Sequence, residues 1–215
     1  MKLYGYWRSS SSWRVRTALE LKSLQFEYAA VHLVEEGGQQ HHDDHKSRNP
    51  MEQVPVLEYT DDDGRLRHIT QSMAIMEFIE ETHPEPSLLP QGAFLRAKAR
   101  QLAEVVNSGI QPLQNLDLLL RLKADFEVDA RAWCAPYIRD GLVAYEQMMT
   151  ELPGDFSVGD TPTYADICLI PQLYNARRFD VKLDDLPALL ELEERCMALD
   201  AFQASHPDQQ PDAQS

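Results

Sequence analysis

Four consecutive serines, residues 9–12, lie at the start of a segment that predicts a helix. The helix is indicated by apolar residues at i, i+3 and i+4 spacing, namely Val15, Ala18 and Leu19. The first N–H groups of a helix lack internal partners and lie at the positive end of its dipole, so they stabilise an anion such as a thiolate. A simpler interpretation is that Ser11 or Ser12 is only the N-cap and that the other serines are solvated.

Two later dipeptides could also bind parts of a ligand. Pro55 favours an extended Val54 and permits a cis bond, which would leave the Val54 backbone able to pair with a peptide as an added strand does. A proline at the start of a strand can equally have no ligand. Gln71-Ser72 begins another predicted helix, whose N–H groups could hold a carboxylate, although Ser72 as N-cap would suffice.

The elements around these residues predict an α/β domain. Predicted strands 3–6 and 26–31 flank a helix over 12–24, which gives a right-handed β-α-β unit. Strands 54–59 and 66–70 form a hairpin through an acidic turn, and the helix that starts at Ser72 ends at His83-Pro84. This order resembles the thioredoxin fold, without its C-x-x-C pair.

The pattern changes after Pro84, Pro86 and Pro90, where the signals become almost wholly helical. We therefore predict a thioredoxin-like N-terminal domain over 1–83 and an all-α C-terminal domain over 91–205. Within the second domain, Thr163 and Asp166 fit a capping box, and residues 167–170 are apolar enough for a buried helix. Asp166 is therefore expected to be structural.

Composition excludes several classes of function. The chain has 215 residues, 43% of them hydrophobic, and 35 acidic against 20 basic side chains give a formal charge of −15. Such a charge opposes binding to nucleic acid or to an acidic membrane. The absence of a signal-peptide pattern and of long apolar runs leads us to expect a cytoplasmic protein. Its three cysteines are far apart and predict buried thiols rather than disulfides or a zinc site.

Two polar segments carry weaker signals. His41, His42 and His45 alternate with acids in a stretch without periodicity, which favours a solvated loop over a metal site. Residues 206–215 are rich in Pro, Asp and Gln and predict a mobile tail.

A site for a thiolate, an edge for a peptide backbone and a helix start for a carboxylate together suit glutathione, a small acidic thiol peptide. Residues 8–16, RSSSSWRVR, resemble the SSCSWRVR signature of zeta-class glutathione transferases, which include maleylacetoacetate isomerases. The resemblance continues in NPMEQVP at 49–55, QSMAI at 71–75, GIQPLQN at 109–115, NARRF at 175–179 and AFQASHP at 201–207. It covers nearly the whole chain and implies a glutathione transferase architecture, glutathione as cofactor and a homodimer.

The resemblance also implies roles for individual residues. Ser9 would donate to the glutathione sulfur within a catalytic set that includes Ser10, Ser11 and Arg178. The rest of glutathione would be held by Gln40, Gln53, Val54, Gln71 and Ser72, and by Gln111, Asn115 and Asp117 on the first long helix of the second domain. Arg8 and Arg178 would bind the substrate, although Arg8 could instead form a structural ion pair. Ser11 replaces the cysteine of the family signature.

The implied reaction is the cis-trans isomerisation of a small anionic unsaturated diketo acid, either maleylacetoacetate or maleylpyruvate, through reversible addition of the glutathione thiolate. A broad-specificity transferase or dehalogenase would use the same site. A non-catalytic module that binds partner proteins is a more remote alternative, and a thiol oxidoreductase is disfavoured because the helix start has no cysteine.

Overall fold

The computed structural model describes residues 1–214, which form two compact units. The first contains residues 1–87 together with the segment that begins at Leu199, and the second contains residues 88–198. This division assigns residues 84–87 and 88–90, which lie between the two predicted domains, to the first and second units, and it differs from the prediction at the C-terminal end. Residues 199–205 belong with the first unit because the short helix in that segment packs against the first helix of the chain.

The first unit is built on a four-stranded mixed sheet. Its strands are β1 (Lys2–Gly5), β2 (Glu27–Ala30), β3 (Val56–Thr60) and β4 (Leu66–Thr70), in the order β2-β1-β3-β4. β1 and β2 are parallel, whereas the other two pairs are antiparallel. All four predicted strands are therefore present.

Four helices belong to this unit: α1 (Ser10–Leu21), α2 (Asp43–Arg48), α3 (Ser72–Thr82) and α9 (Asp200–Ser205). Val15 and Leu19 of α1 pack with Leu3, Leu57, Ile75 and Ile79 in a core of fully buried side chains. The apolar stripe that predicted α1 lies in this core, and the other faces of the helix are buried as well, since every residue from Ser12 to Leu19 is buried.

The second unit consists of helices, as predicted. They are α4 (Ala93–Glu104), α5 (Leu116–Phe126), α6 (Ala130–Thr150), α7 (Tyr164–Arg178) and α8 (Pro187–Met197). The predicted capping box is confirmed at α7: the Thr163 side chain accepts from a backbone N–H, and the Thr163 N–H donates to Asp166 Oδ2 over 2.7 Å. Within residues 1–214, no helix combines the length and apolar character needed to cross a bilayer.

The three cysteines, Cys134, Cys168 and Cys196, are free and buried, as predicted. The histidine segment differs from its prediction, because residues 39–41 form a 3₁₀ turn and residues 43–48 form α2. His41 and His42 are exposed, but His45 is 2% exposed. A solvated loop was therefore wrong for His45, which faces the inside of the unit.

The prediction of a mobile tail is wrong for residues 206–214. Pro207–Gln209 form a 3₁₀ turn, and Asp212 accepts hydrogen bonds from Trp7 and Tyr28. Ser215 lies outside the described residues. The segment is ordered by contacts with residues near the other end of the chain, which local composition does not encode.

Candidate active site

The sheet register brings the three predicted ligand-binding features of the first unit to one end of the sheet. Tyr4 near the end of β1 is opposite Val56 at the start of β3, and Val56 is opposite Thr70 at the end of β4. The residues that follow β1, precede β3 and follow β4 therefore lie at the same end. These are the serine run, Val54 and Gln71.

Ser9 is the N-cap of α1. Its Oγ accepts a hydrogen bond from the Ser12 N–H over 3.3 Å, and its own N–H donates to the Tyr6 carbonyl over 3.0 Å. The expectation that Ser11 or Ser12 caps the helix is wrong, because Ser12 is buried within the first turn and its Oγ accepts from the Tyr6 N–H. Because the Ser9 oxygen acts only as an acceptor in the cap, the Ser9 O–H can still donate a hydrogen bond to an anion.

The other serines and Arg8 flank this cap. Ser10 and Ser11 lie in the first turn of α1 and are partly exposed. Arg8 is also partly exposed, and its guanidinium carbon lies 5.1 Å from the centre of a Trp7 ring. A hydroxyl donor and a cationic side chain are therefore adjacent at the start of α1.

The backbone before β3 is held by two side chains. The Gln53 carbonyl accepts from His45 Nε2 over 2.9 Å and from Asn49 Nδ2 over 2.7 Å. Burial lowers the pKa of His45, so its ring is neutral with the proton on Nε2. The Val54-Pro55 bond that follows is cis, and within residues 1–214 the Val54 N–H and C=O have no partner. They remain available to an added strand.

The side-chain oxygen of Gln40 is a buried hydrogen-bond acceptor. Its side chain is 4% exposed, and its Nε2 donates to the Leu33 carbonyl over 3.3 Å. Its Oε1 is buried without a hydrogen-bond partner among the described residues. Because a buried unpaired acceptor is costly, this atom fits a donor supplied by a ligand.

Gln71, rather than the predicted Ser72, is the N-cap of α3. It has φ 69° and ψ 113°, and its side chain is exposed. A positive φ is uncommon outside glycine and is often found at ligand sites. Ser72 is buried in the first turn, where its Oγ accepts from Arg14 Nη1 over 3.0 Å.

The candidate residues of the second unit are not on one long helix, contrary to expectation. α4 ends at Glu104 and continues as a π-helical segment, Val105–Ile110, and then a 3₁₀ turn, Gln111–Gln114. Gln111 begins this turn. Pro112, the second residue of the turn, has no N–H to donate to a helical hydrogen bond.

Asn115 is the N-cap of α5. Its Oδ1 accepts from the N–H groups of Asp117 and Leu118 over 3.0 and 3.4 Å. Asp117 is exposed in the first turn of α5. Asn115 therefore has a capping role whether or not it also meets a ligand.

Two arginines end α7, with different partners. Arg177 Nη1 donates to Glu193 Oε1 over 2.7 Å, and that ion pair raises the pKa of Arg177. Arg178 is exposed and donates from Nη1 to Asn175 Oδ1 over 3.0 Å.

Comparison with known proteins identifies the family of this chain. The family model described as "Glutathione S-transferase, N-terminal domain" matches residues 1–81, and the corresponding C-terminal domain model matches residues 139–200. Maleylacetoacetate isomerase of Dictyostelium discoideum is 43% identical over 215 residues, covering 99% of this chain and 95% of that protein. The chain belongs to the glutathione S-transferase family.

Solved structures place this glutathione S-transferase in the zeta class. Maleylacetoacetate isomerase from Anaeromyxobacter dehalogenans 2CP-1, with GSH bound in its active site, has 52% identity and a TM-score of 0.90, covering 99% of this chain and 97% of that one. A bacterial maleylpyruvate isomerase described as a zeta-class glutathione S-transferase has 41% identity and a TM-score of 0.92, with both chains fully covered. The predicted fold class is confirmed.

Sequence reasoning missed three buried side chains of this zeta-class transferase that hold candidate site residues in place. Arg14, His45 and Asn49 are all buried and bond to residues of the candidate site. Arg14 lies within the recognised signature, but arginines on a helix usually face solvent. His45 and Asn49 stand in a polar segment that gave no signal of burial.

Proposed function

We propose that this zeta-class transferase converts maleylacetoacetate into its trans isomer, with glutathione as a cofactor that is not consumed. The observation that carries the proposal is the Ser9 cap of α1, which lies at the same end of the sheet as the unpaired Val54 backbone and the Gln71 helix start. Its full-length relatives with this activity in their names support the choice of reaction.

The residues present fit glutathione. The Val54 N–H and C=O accommodate its peptide backbone, and the buried Gln40 Oε1 accepts one of its N–H groups. Gln53 contributes through the backbone that His45 and Asn49 fix. Gln71 and Ser72 receive the γ-glutamyl carboxylate at the start of α3, where the helix dipole favours an anion. The family resemblance assigns further glutathione contacts to Gln111, Asn115 and Asp117.

When bound, glutathione supplies the thiolate whose reversible addition to the cis double bond allows rotation about that bond. The chain's task is to stabilise negative charge. The Ser9 hydroxyl donates a hydrogen bond to the sulfur. The N–H groups at the start of α1, next to Ser10 and Ser11, also favour the thiolate over the thiol. Ser11 cannot act as a thiol, so no step depends on a protein cysteine at this position.

Arginine side chains bind the negatively charged groups of the substrate. Arg8, next to the cap, and Arg178, at the end of α7, pair with the carboxylate and enolate oxygens of the diketo acid. Local arginines are needed because the chain as a whole carries a formal charge of −15, which repels an anionic substrate.

The deciding experiment measures isomerisation of maleylacetoacetate and of maleylpyruvate, with and without glutathione. We expect turnover only with glutathione, whose concentration stays constant. Activity that survives complete removal of glutathione would refute the mechanism, and stoichiometric loss of glutathione would instead favour a conjugating transferase or a dehalogenase. A larger kcat/KM for maleylpyruvate than for maleylacetoacetate would make maleylpyruvate the substrate. One relative, matched over the full length of both chains, is a maleylpyruvate isomerase by name.

We further infer a cytoplasmic homodimer that acts in the breakdown of aromatic amino acids such as tyrosine. The family resemblance supports the homodimer, and Met51 and Leu66 of the first unit, which are 63% and 59% exposed, are candidate contacts for it. Sedimentation equilibrium of the parent and a Met51→Glu variant tests the dimer. A monomeric parent would refute it.

A further inference from the structure

The C-terminal segment, residues 206–214, is bonded to the turn that precedes the serine run. The Trp7 N–H donates to Asp212 Oδ2 over 3.0 Å, and the Tyr28 hydroxyl donates to the same oxygen over 3.3 Å. Gln214 Nε2 donates to Glu35 Oε1 over 2.9 Å in the connection that follows β2. The segment therefore joins the connections that leave β1 and β2.

Arg16 holds the same turn from the other side. Its Nη2 donates to the Trp7 carbonyl over 2.8 Å, and its Nη1 donates to the Tyr6 carbonyl over 3.4 Å. The Arg16 side chain is 1% exposed, and burial lowers its pKa to about 10, an effect that Tyr28 and Asp212 oppose. Asp212 thus offsets a buried positive charge in addition to accepting from Trp7.

These bonds fix both peptide groups of Trp7. The turn is closed by the Ser9 N–H, which donates to the Tyr6 carbonyl over 3.0 Å, and the Arg8 guanidinium lies over the Trp7 ring. A displacement of Trp7 would therefore move both Arg8 and Ser9. Small displacements of catalytic donors have large effects on rate.

We infer that Asp212 is a positioning residue for the reaction: by holding the Trp7 N–H it sets the places of Ser9 and Arg8 at the start of α1. The inference rests on the proposed function, which gives Ser9 and Arg8 their roles. Packing of the C-terminal helix does not depend on Asp212, because Ser205 of α9 already bonds to Trp13 Nε1 over 3.2 Å and to Thr17 Oγ1 over 2.8 Å.

The test compares Asp212→Ala and Asp212→Asn with a matched control, Asp208→Ala. Asp208 lies in the same segment and is exposed, and its carboxylate lies 3.6 Å from His206 rather than near the turn. The measurements are the ultraviolet thiolate absorbance of bound glutathione against pH, kcat/KM for the isomerisation, and hydrogen exchange of the Trp7 and Ser9 amides. Thermal unfolding verifies that each variant is folded.

We expect Asp212→Ala to speed exchange of both amides, to raise the pKa of the bound thiol by roughly 0.5 to 1 unit, and to lower kcat/KM about tenfold. Asp212→Asn keeps an oxygen that can accept from the Trp7 N–H, so its kcat/KM should fall less than that of Asp212→Ala. Asp208→Ala should match the parent in every measurement.

A folded Asp212→Ala variant with faster Trp7 exchange but parental thiol titration and kcat/KM would overturn the inference, since Asp212 would then be only structural. Ser9→Ala, measured alongside, separates this result from failure of the proposed function. If Ser9→Ala shifts the titration and Asp212→Ala does not, only the role of Asp212 is wrong. If neither variant shifts it, both proposals are wrong.

Discussion

Arg14 Nη1 donates to Ser72 Oγ over 3.0 Å, and both side chains are buried. The bond ties the first helix of the chain to the start of α3. Since Arg14 lies within α1 and Ser72 in the first turn of α3, it helps to fix the distance between the proposed thiolate and carboxylate sites. One buried bond therefore contributes both to stability and to the fit of glutathione.

Ser72→Ala removes this bond together with a proposed donor to the γ-glutamyl carboxylate. A hydrogen bond to a charged group is worth about 1.5 to 3 kcal/mol, so we expect a loss of that size in the free energy of unfolding and a higher KM for glutathione. Denaturant unfolding and steady-state kinetics measure the two effects. Ser47→Ala, in the exposed part of α2, is the control. A KM equal to that of the parent would remove Ser72 from the glutathione site.

Ser9→Ala removes both the proposed donor to the sulfur and the N-cap of α1, whereas Ser11→Ala removes neither. Ser9→Ala should raise the pKa of the bound thiol by roughly one to two units, because one charge-assisted donor is lost. It should also cost about 1 kcal/mol of stability, because Ser9 is the N-cap. Activity should fall near neutral pH and recover in part at higher pH.

Ser11→Ala is the matched control and should keep much more isomerase activity, since the nucleophile belongs to glutathione. Ultraviolet titration of the bound thiolate compares the two variants. A larger shift in Ser11→Ala than in Ser9→Ala would reverse the assignment.

Arg178 and Arg177 allow a comparison of adjacent charges on α7. Arg178→Ala should weaken isomerisation by about 2 to 5 kcal/mol if the pair with the substrate is desolvated. Arg177→Ala removes the same charge but breaks the ion pair with Glu193, so its main effect should be on stability. The measurement is kcat/KM of Arg178→Ala relative to that of Arg177→Ala. Equal values in the two folded variants would exclude Arg178 from the substrate site.

His45 makes stability depend on pH. Burial lowers its pKa below the ordinary value of 6.5, against opposing effects of the Gln53 carbonyl and Glu52. The contribution of neutral His45 is therefore fully present above pH 6.5 and is lost as the pH falls toward the folded-state value, because the unfolded chain then binds a proton that the folded chain does not.

The corresponding variant is His45→Gln, which keeps a donor for the Gln53 carbonyl without a titrating group. Its free energy of unfolding should fall less than that of the parent between about pH 7 and about pH 5.5. His206, whose pKa burial also lowers, is present in both proteins, so the difference reports on His45. Parallel pH dependence of the two proteins would show that His45 does not contribute.

The sequence alone determined the fold class, the four strands and the candidate ligand-binding positions of the first unit. Alternating or helically spaced apolar residues, such as Val15 and Leu19, encode these elements locally. Proline and the serine run mark points where backbone groups lack regular partners. The Thr163–Asp166 capping box was also predictable, because both partners lie within one helical turn.

Only the tertiary structure decided which atoms meet at the site. Capping by Ser9 and Gln71, rather than by the serines that follow them, depends on how the chain leaves β1 and β4. The burial of His45 and the docking of Asp212 on Trp7 require contacts made by the folded sheet and helices, and the latter bond joins residues 205 positions apart. Local patterns fix the elements, but hydrogen bonds between distant segments form only after those elements have packed, so no local pattern predicts them.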